Sequence, residues 1–539
     1  MAEESKSLLY KLEPLIKRWP AVQKPDGHVH FRMKLLWTLA ALLVYFFMAN
    51  IFIYGLSSGS TDVFAQFRAI LAGQNGSLVH LGIGPIVTGS IIMQLFTGAK
   101  IIKLDLTKPE DKSIYQGTQK VLVVVMIFVE AVPQVFGFLT PDPKLITRFG
   151  DNRALAQTLI ILQLAAGSYI VFLLDEVVSK WGIGSGISLF IAAGVSQGLF
   201  TGSFNWIPPC PDQVYSIARE CNTAQGAEAN IPPGTLPRTF YLLTAYDSNQ
   251  LVHGGGFEDI FFTTTNAMVA FLGTLAIFLI VVYAQSTRVE LPLAHGKVRG
   301  ARGRYPIKLM YASNIPVILM AALLANVNLI SLLMYQGPLK DLPLFGYHWL
   351  SQNAPGFAGW VGTYLPSGGR TQAISGAAYY LSPVSGVSDW LLPFLNEARY
   401  GASVFTYREP WQVLLRVAFY GTAMIGGSIV FAKFWIETTN MGPDAVAKQI
   451  QRSGMQIPGF RRDPRIVEKI LDRYIPVVTV IGGAAVGALA FSADLIGTVG
   501  NVSGTGVLLT VGILHQLYEQ IAKEQVMEMH PILRGFFGE

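Results

Sequence analysis

Charge is scarce in this chain. Only 14% of its 539 residues are Asp, Glu, Lys or Arg, where a soluble globular protein carries about 25%. That deficit argues against a set of ordinary soluble domains, although the length alone would allow several. Cysteine is almost missing: Cys210 and Cys221 are the only two, which excludes a disulfide-rich scaffold and any cysteine-based zinc pattern. Both fall in one segment, and a disulfide closing it and a pair of unpaired thiols both remain open. No GxxxxGK[ST] phosphate loop is present, so the chain is not its own nucleotide-driven motor. No nucleophile–base–acid arrangement stands out, so an enzyme is not expected, nor is a cofactor. His28 and His30 in HVH read as a solvated turn rather than a metal site. GIGSG at 182–186 follows no strand, so it reads as close helix packing or a flexible helix start rather than a dinucleotide loop.

Apolar residues are present in abundance. They make up 51% of the chain, and the mean hydropathy is +0.42. Ten apolar runs lie at about 35–55, 81–97, 119–139, 155–174, 187–204, 261–284, 311–335, 411–436, 474–496 and 503–521. Runs such as VLVVVMIFVEAVPQVFGFL are too long and too evenly apolar for an amphipathic core helix. The expected fold is an all-α polytopic membrane protein. Its ten transmembrane helices divide into two inverted five-helix halves, 35–204 and 261–521, around an outer loop 205–260. An odd number of spans per half turns one half upside down relative to the other. The second half carries another outer loop, 336–410; both loops are Pro/Gly/Asn-rich and are expected to hold little regular structure.

The second run is broken. Asp62–Leu71 is far too short to cross a bilayer, which takes about 20 apolar residues. Gly82, Gly84 and Pro85 then punctuate LGIGPIVTGSIIMQL. Interrupted helical backbone at membrane depth is tolerated only where protein shields it or where it lines a wet cavity. This segment therefore marks a pore or a transport site.

Basic residues set the orientation. With a cytoplasmic N-terminus, the inner segments 1–34, 98–118, 175–186, 285–310, 437–473 and the tail 522–539 hold most of the Lys and Arg, as positive-inside topology demands. The outer loop 205–260 has only Arg219 and Arg238. The net charge of +6 is thus a topology signal. Both termini are placed inside. Residues 1–34 do not read as a cleavable signal; Leu8, Leu9, Leu12, Leu15, Ile16 and Trp19 recur at helical spacing, fitting a helix on the membrane surface or one packed on the protein's own loops.

Few ionisable residues fall inside the runs. Arg416, Asp494, His515 and Glu519 lie near helix ends, where snorkelling is the simpler reading. Glu130 alone is deep enough to need a partner. Ile83 and Val87, and likewise Ile187 and Ile191, are spaced to share a helix face just after glycine-rich starts. Such pairs suit a hydrophobic constriction but equally suit ordinary helix packing.

LGIGPIVTGSIIMQL, LLDEVVSKWGIGSGISLFIAAGVSQ, YPIKLMYASNIPVIL and SGTGVLLTVGILHQLYEQ resemble the SecY family, the α subunits of the protein-conducting translocon. The resemblance covers all ten runs in order and is closest to the archaeal branch, with the ending HPILRGFFG. The long loops 205–260 and 336–410 depart from the pattern.

The resemblance implies a channel that passes secretory polypeptides and releases hydrophobic segments laterally into lipid. It implies a plug at about Thr61–Gly73, a pore ring of Ile83, Val87, Ile187, Ile191, Ile318 and Leu509, and a lateral-gate polar cluster of Thr88, Glu130 and Asn326. It implies SecE-like and small β-type subunits in a heterotrimer, signal sequences and nascent chains as cargo, and a ribosome or another motor as the energy source. The basic loops would then face the ribosome through Arg299, Arg302, Arg304, Arg461, Arg462 and Arg465; topology alone also accounts for most of that charge. The alternative is a secondary transporter with a broken-helix site for a small molecule.

Overall fold

The computed structural model describes the chain apart from residues 1–8, 11–12, 19–21, 28, 58–66, 69, 99–100, 103, 105–107, 208–230, 263–265, 296–301, 309–314, 337–360, 368–369, 398–400, 406–407, 440, 453–454, 457–463 and 530–539. A short helix α1 (Glu13–Arg18) precedes the long helices α2 (Phe31–Ala49), α3 (Gly84–Gly98), α4 (Pro109–Gly137), α5 (Arg153–Trp181) and α6 (Gly186–Phe204). The second half contains α7 (Thr235–Ala245), α8 (Met268–Ser286), α9 (Ile315–Gln336), α10 (Pro410–Thr438), α11 (Pro443–Arg452), α12 (Pro464–Ile496) and α13 (Gly504–Met529). Among the described residues, eight helices are long and apolar enough to cross a membrane. The short α3 and the long α13 occupy the second and tenth expected positions.

Local chemistry sets the helix starts. Pro109 and Pro410 occupy first-turn positions of α4 and α10, where the missing N–H costs nothing because that amide has no intrahelical partner. Asn152 caps α5 by accepting from the Leu155 amide at 3.3 Å, supplying one of the acceptors the first turn lacks. Pro133 lies inside α4 and removes one hydrogen bond from its ladder, the one to the Val129 carbonyl.

One continuous apolar core runs through both halves. Around it, large side chains such as Leu43 and Phe47 are 63% and 69% exposed, an outward apolar face that suits hydrocarbon rather than water. The halves meet along two seams. On one, α3 and α4 pack against α9; on the other, α6 packs against α13.

Three expectations need correction. The outer segment 205–260 was expected to be largely irregular, yet it holds α7 and two one-turn helices, Ser248–Val252 and Gly256–Phe261. Outer segment 336–410 likewise forms an antiparallel hairpin and several one-turn helices. Arg416 and Asp494 do not snorkel. Arg416 pairs with Asp389 at 3.2 Å and bonds the Ser382 carbonyl, and Asp494 is 3% exposed and accepts from Tyr420 at 2.6 Å. A charge that finds this many partners is held in place rather than drawn to the interface. His515 and Glu519 pair with each other at 3.4 Å and remain partly exposed.

The loop 285–310 contains a hairpin of β1 (Arg288–His295) and β2 (Arg302–Lys308). A third strand, β3 (Met455–Gln456), comes from the loop 437–473 and pairs with β1 at Ala294 and His295. The N-terminal segment packs on the protein itself. Tyr10 hydrogen-bonds Asp111 at the start of α4, and that bond pushes the phenol up to about 12. Further on, the Val22 amide donates to Glu176 at 2.9 Å and Trp181 donates to the Gln23 carbonyl at 2.9 Å. Lys120 of α4 and Lys180 of α5 both pair with Glu176, so one carboxylate ties the segment to two spans.

Candidate functional site

The site is built where the broken second span restarts. Gly82 takes a positive φ of 56°, and a Cβ there would lie 2.1 Å from the Leu71 carbonyl oxygen. Only glycine permits that conformation and that approach together. The chain uses the space to let the Ile83 amide donate to the Leu71 carbonyl at 2.8 Å. Gly84 opens α3 beside Glu130; a Cβ at that position would meet Glu130 Oε2 at 2.9 Å. The Gly-x-Gly pattern thus places a helix start directly against a buried carboxyl group.

Described residues of the expected plug lie on the same ground. Phe67 and Ile70 are buried, and the Leu71 amide donates to the Phe67 carbonyl at 2.9 Å, one helical turn; residues 61–66 and 69 lie outside the described residues. Arg68 donates to the His80 carbonyl at 2.6 Å and reaches Asn75 at 3.3 Å. His80 accepts from the Gly76 amide at Nδ1, 3.0 Å away, so its Nε2–H donates to Gln134 of α4 at 3.1 Å. Tyr45 of α2 donates to the Ala72 carbonyl at 2.8 Å. The segment is therefore tied to α2 and α4 by directed bonds as well as apolar contact. Sequence reasoning missed His80 and Gln134, whose only signal was polarity beside or within an apolar run.

Thr88, Glu130 and Asn326 are brought together. Thr88 donates to Glu130 at 2.9 Å, and the Asn326 amide donates to Thr88 at 3.0 Å. Glu130 is 6% exposed, so these bonds offset a burial that is otherwise costly. The three residues line a small cavity with Leu71, His80 and Gln134, so the plug segment and the seam between the halves share one polar pocket.

Ile83, Val87, Ile191, Ile318 and Leu509 are all buried in the same large apolar core, and Ile187 is half-buried against it. They come from α3 and the turn before it, α6, α9 and α13; none lies on the outer apolar face. Arg302 and Arg304 are in β2, paired with Ala294 and Pro292, and Arg465 opens α12. Arg299, Arg461, Arg462, Cys210 and Cys221 lie outside the described residues. Among the described residues, no group of three or more His, Cys, Asp or Glu is placed to hold a metal ion.

Comparison with known proteins agrees with the geometry. A family model described as SecY matches residues 77–518, and one described as the plug domain of Sec61p matches residues 43–76. The chain belongs to the SecY family. Its relatives include a protein translocase subunit SecY from Archaeoglobus fulgidus, 44% identical over 99% of each chain, and one from Haloferax volcanii, 45% identical over 98% of each. These alignments run through the two outer segments, so SecY proteins of this kind share their length. Among solved structures, one described as "The structure of a protein conducting channel" is 38% identical with a TM-score of 0.69, over 96% of this chain and 98% of that one. Sec61 in a canine ribosome-channel complex is 37% identical with a TM-score of 0.67, over the same shares. A SecY chain is a multi-pass membrane channel subunit for protein translocation and not an enzyme. The alternative of a small-molecule transporter is thereby set aside.

Proposed function

We propose that this chain conducts unfolded secretory polypeptides through a constriction made by Ile83, Val87, Ile187, Ile191, Ile318 and Leu509, and lets apolar segments leave sideways where α3 and α4 meet α9. The observation that carries this reading is the burial of five of these residues, from both halves, in one apolar core, with Ile187 half-buried against it. An apolar ring passes a chain of any sequence because it makes no specific bond, and it resists ions by dewetting. Residues 61–73 act as the plug that closes the outer funnel, and Thr88, Glu130 and Asn326 act as the polar clasp of the lateral exit.

The chain works with SecE-like and small β-type subunits as a heterotrimer in the cell membrane, with both termini cytoplasmic. A ribosome or another motor supplies the energy. Structural relatives in ribosome-bound complexes support a cytoplasmic docking face. The pairing of β3 with β1 supports one shared surface for the loops 285–310 and 437–473, where basic residues would meet RNA phosphate.

The test is a photo-crosslinking probe placed at Ile191 or Ile318 in the complete reconstituted complex, with a secretory chain arrested in transit. Cross-links from both positions, with none from the outward-facing Leu43, are the expected result. Cross-links from Leu43 and none from the ring positions would overturn the assignment.

A further inference from the structure

The two halves share a device that their sequences conceal. In the first half, Asp175 near the end of α5 accepts from the Ile187 amide at 2.9 Å, in the first turn of α6. In the second, Asp494 near the end of α12 accepts from the Thr505 amide at 3.1 Å and from the Thr505 hydroxyl at 2.8 Å, in the first turn of α13. Each helix opens on a glycine that lets the preceding helix approach. A Cβ at Gly186 would lie 2.5 Å from the Asp175 Cα, and one at Gly504 would lie 2.2 Å from the Ala493 carbonyl carbon. One helical turn beyond Ile187 is Ile191, and one turn beyond Thr505 is Leu509. The same carboxylate, glycine and apolar residue thus recur in the same order on two helices five spans apart.

First-turn amides have no partner inside their own helix, and with little water available an unpaired one is costly. A carboxylate supplies the acceptor, and its charge complements the positive end of the helix dipole. It also fixes register. A slip of one residue moves a helix about 1.5 Å along its axis and turns it by roughly 100°, enough to swing an isoleucine out of a ring.

We propose that Asp175 and Asp494 are positioning residues of the constriction, each anchoring the first turn of a pore-lining helix and so setting where Ile191 and Leu509 stand. This rests on the ring assignment above. A carboxylate that only stabilises the fold lowers the melting temperature and leaves the assembled channel sealed. A positioning carboxylate changes the seal.

The experiment measures resting ion flux through the complete complex in liposomes for Asp175→Ala, Asp494→Ala, Asp175→Asn and a ring control, Ile191→Ser. Loss of a cap favours the displaced helix start roughly fivefold, and the two alanine variants are expected to leak in that proportion. Asp175→Asn keeps an accepting oxygen and is expected to seal like the unaltered protein. A leaking ring control with sealed alanine variants would overturn this inference and leave the ring intact; Asp175→Asn leaking as much as Asp175→Ala would overturn the acceptor role. A sealed ring control would remove the ring assignment itself, and this inference with it. Should the alanine variants fail to assemble, amide hydrogen exchange of the unaltered complex decides. Ile187 and Thr505 amides exchanging as slowly as mid-helix amides support the anchor, and exchange at the rate of free amides overturns it.

Discussion

The Asn326 side-chain amide donates to the Thr88 hydroxyl at 3.0 Å, joining α9 of the second half to α3 of the first. Thr88 in turn donates to Glu130 of α4 at 2.9 Å, so a chain of two hydrogen bonds crosses the seam. Within membranes such bonds are worth about 0.6 to 2 kcal/mol each, enough to bias a gate and too little to lock it. Replacing Glu130 by Leu and Asn326 by Ala, singly and together, is expected to change how hydrophobic a signal sequence must be to open the channel. The measurement is translocation of a signal-sequence series of graded hydrophobicity. An unchanged threshold in all three variants would reduce the cluster to packing.

Among the described residues, Arg68 is the charged tie between the plug segment and its seat, through the His80 carbonyl and Asn75. A hydrogen bond from a charged group contributes about 1.5–3 kcal/mol. Arg68→Ala is therefore expected to loosen the segment and raise its protease sensitivity at rest. Equal digestion rates for variant and unaltered protein would show that apolar contacts and the Tyr45–Ala72 bond hold the plug without Arg68.

Glu176 gathers Lys120, Lys180 and the Val22 amide. Glu176→Ala leaves two ammonium groups facing each other and an amide without its acceptor, a loss of about 1–3 kcal/mol. The N-terminal segment is expected to detach, seen as faster tryptic removal of residues before α2. Unchanged removal would place its anchorage elsewhere.

Much of this was legible in the sequence. Ten apolar runs and the interrupted second one gave the class, since hydrocarbon leaves helices as the only spanning option for such segments. Resemblance to the SecY family located Thr88, Glu130 and Asn326, which three separate spans had to bring together. Pairing in three dimensions was not legible. The β1–β3 bond between two inner loops, the Arg416–Asp389 pair and the matched Asp175 and Asp494 anchors all join residues distant in sequence or hidden by different surroundings. Arg416 and Asp494 were misjudged because proximity to a helix end suggests exposure, whereas the outer segment around Asp389 folds over Arg416 and α13 starts against Asp494.

The basic loops 285–310 and 437–473 give a separate check. Reversing Arg302, Arg304, Arg461 and Arg462 to Glu is expected to weaken ribosome binding, and binding by the unaltered complex should fall steeply with salt as counterion release requires. Equal affinity of variant and unaltered complex in a co-sedimentation assay at low and moderate salt would leave membrane topology as the only role of these residues.

The proposed apolar ring would close the resting channel. Its most direct measurement is ion flux through liposomes carrying the complete complex with Ile83, Ile191 and Ile318 replaced together by Ser. Wetting of the constriction predicts a clear rise in resting flux over the unaltered complex. Flux that stays at the unaltered level in correctly assembled complexes would contradict the account.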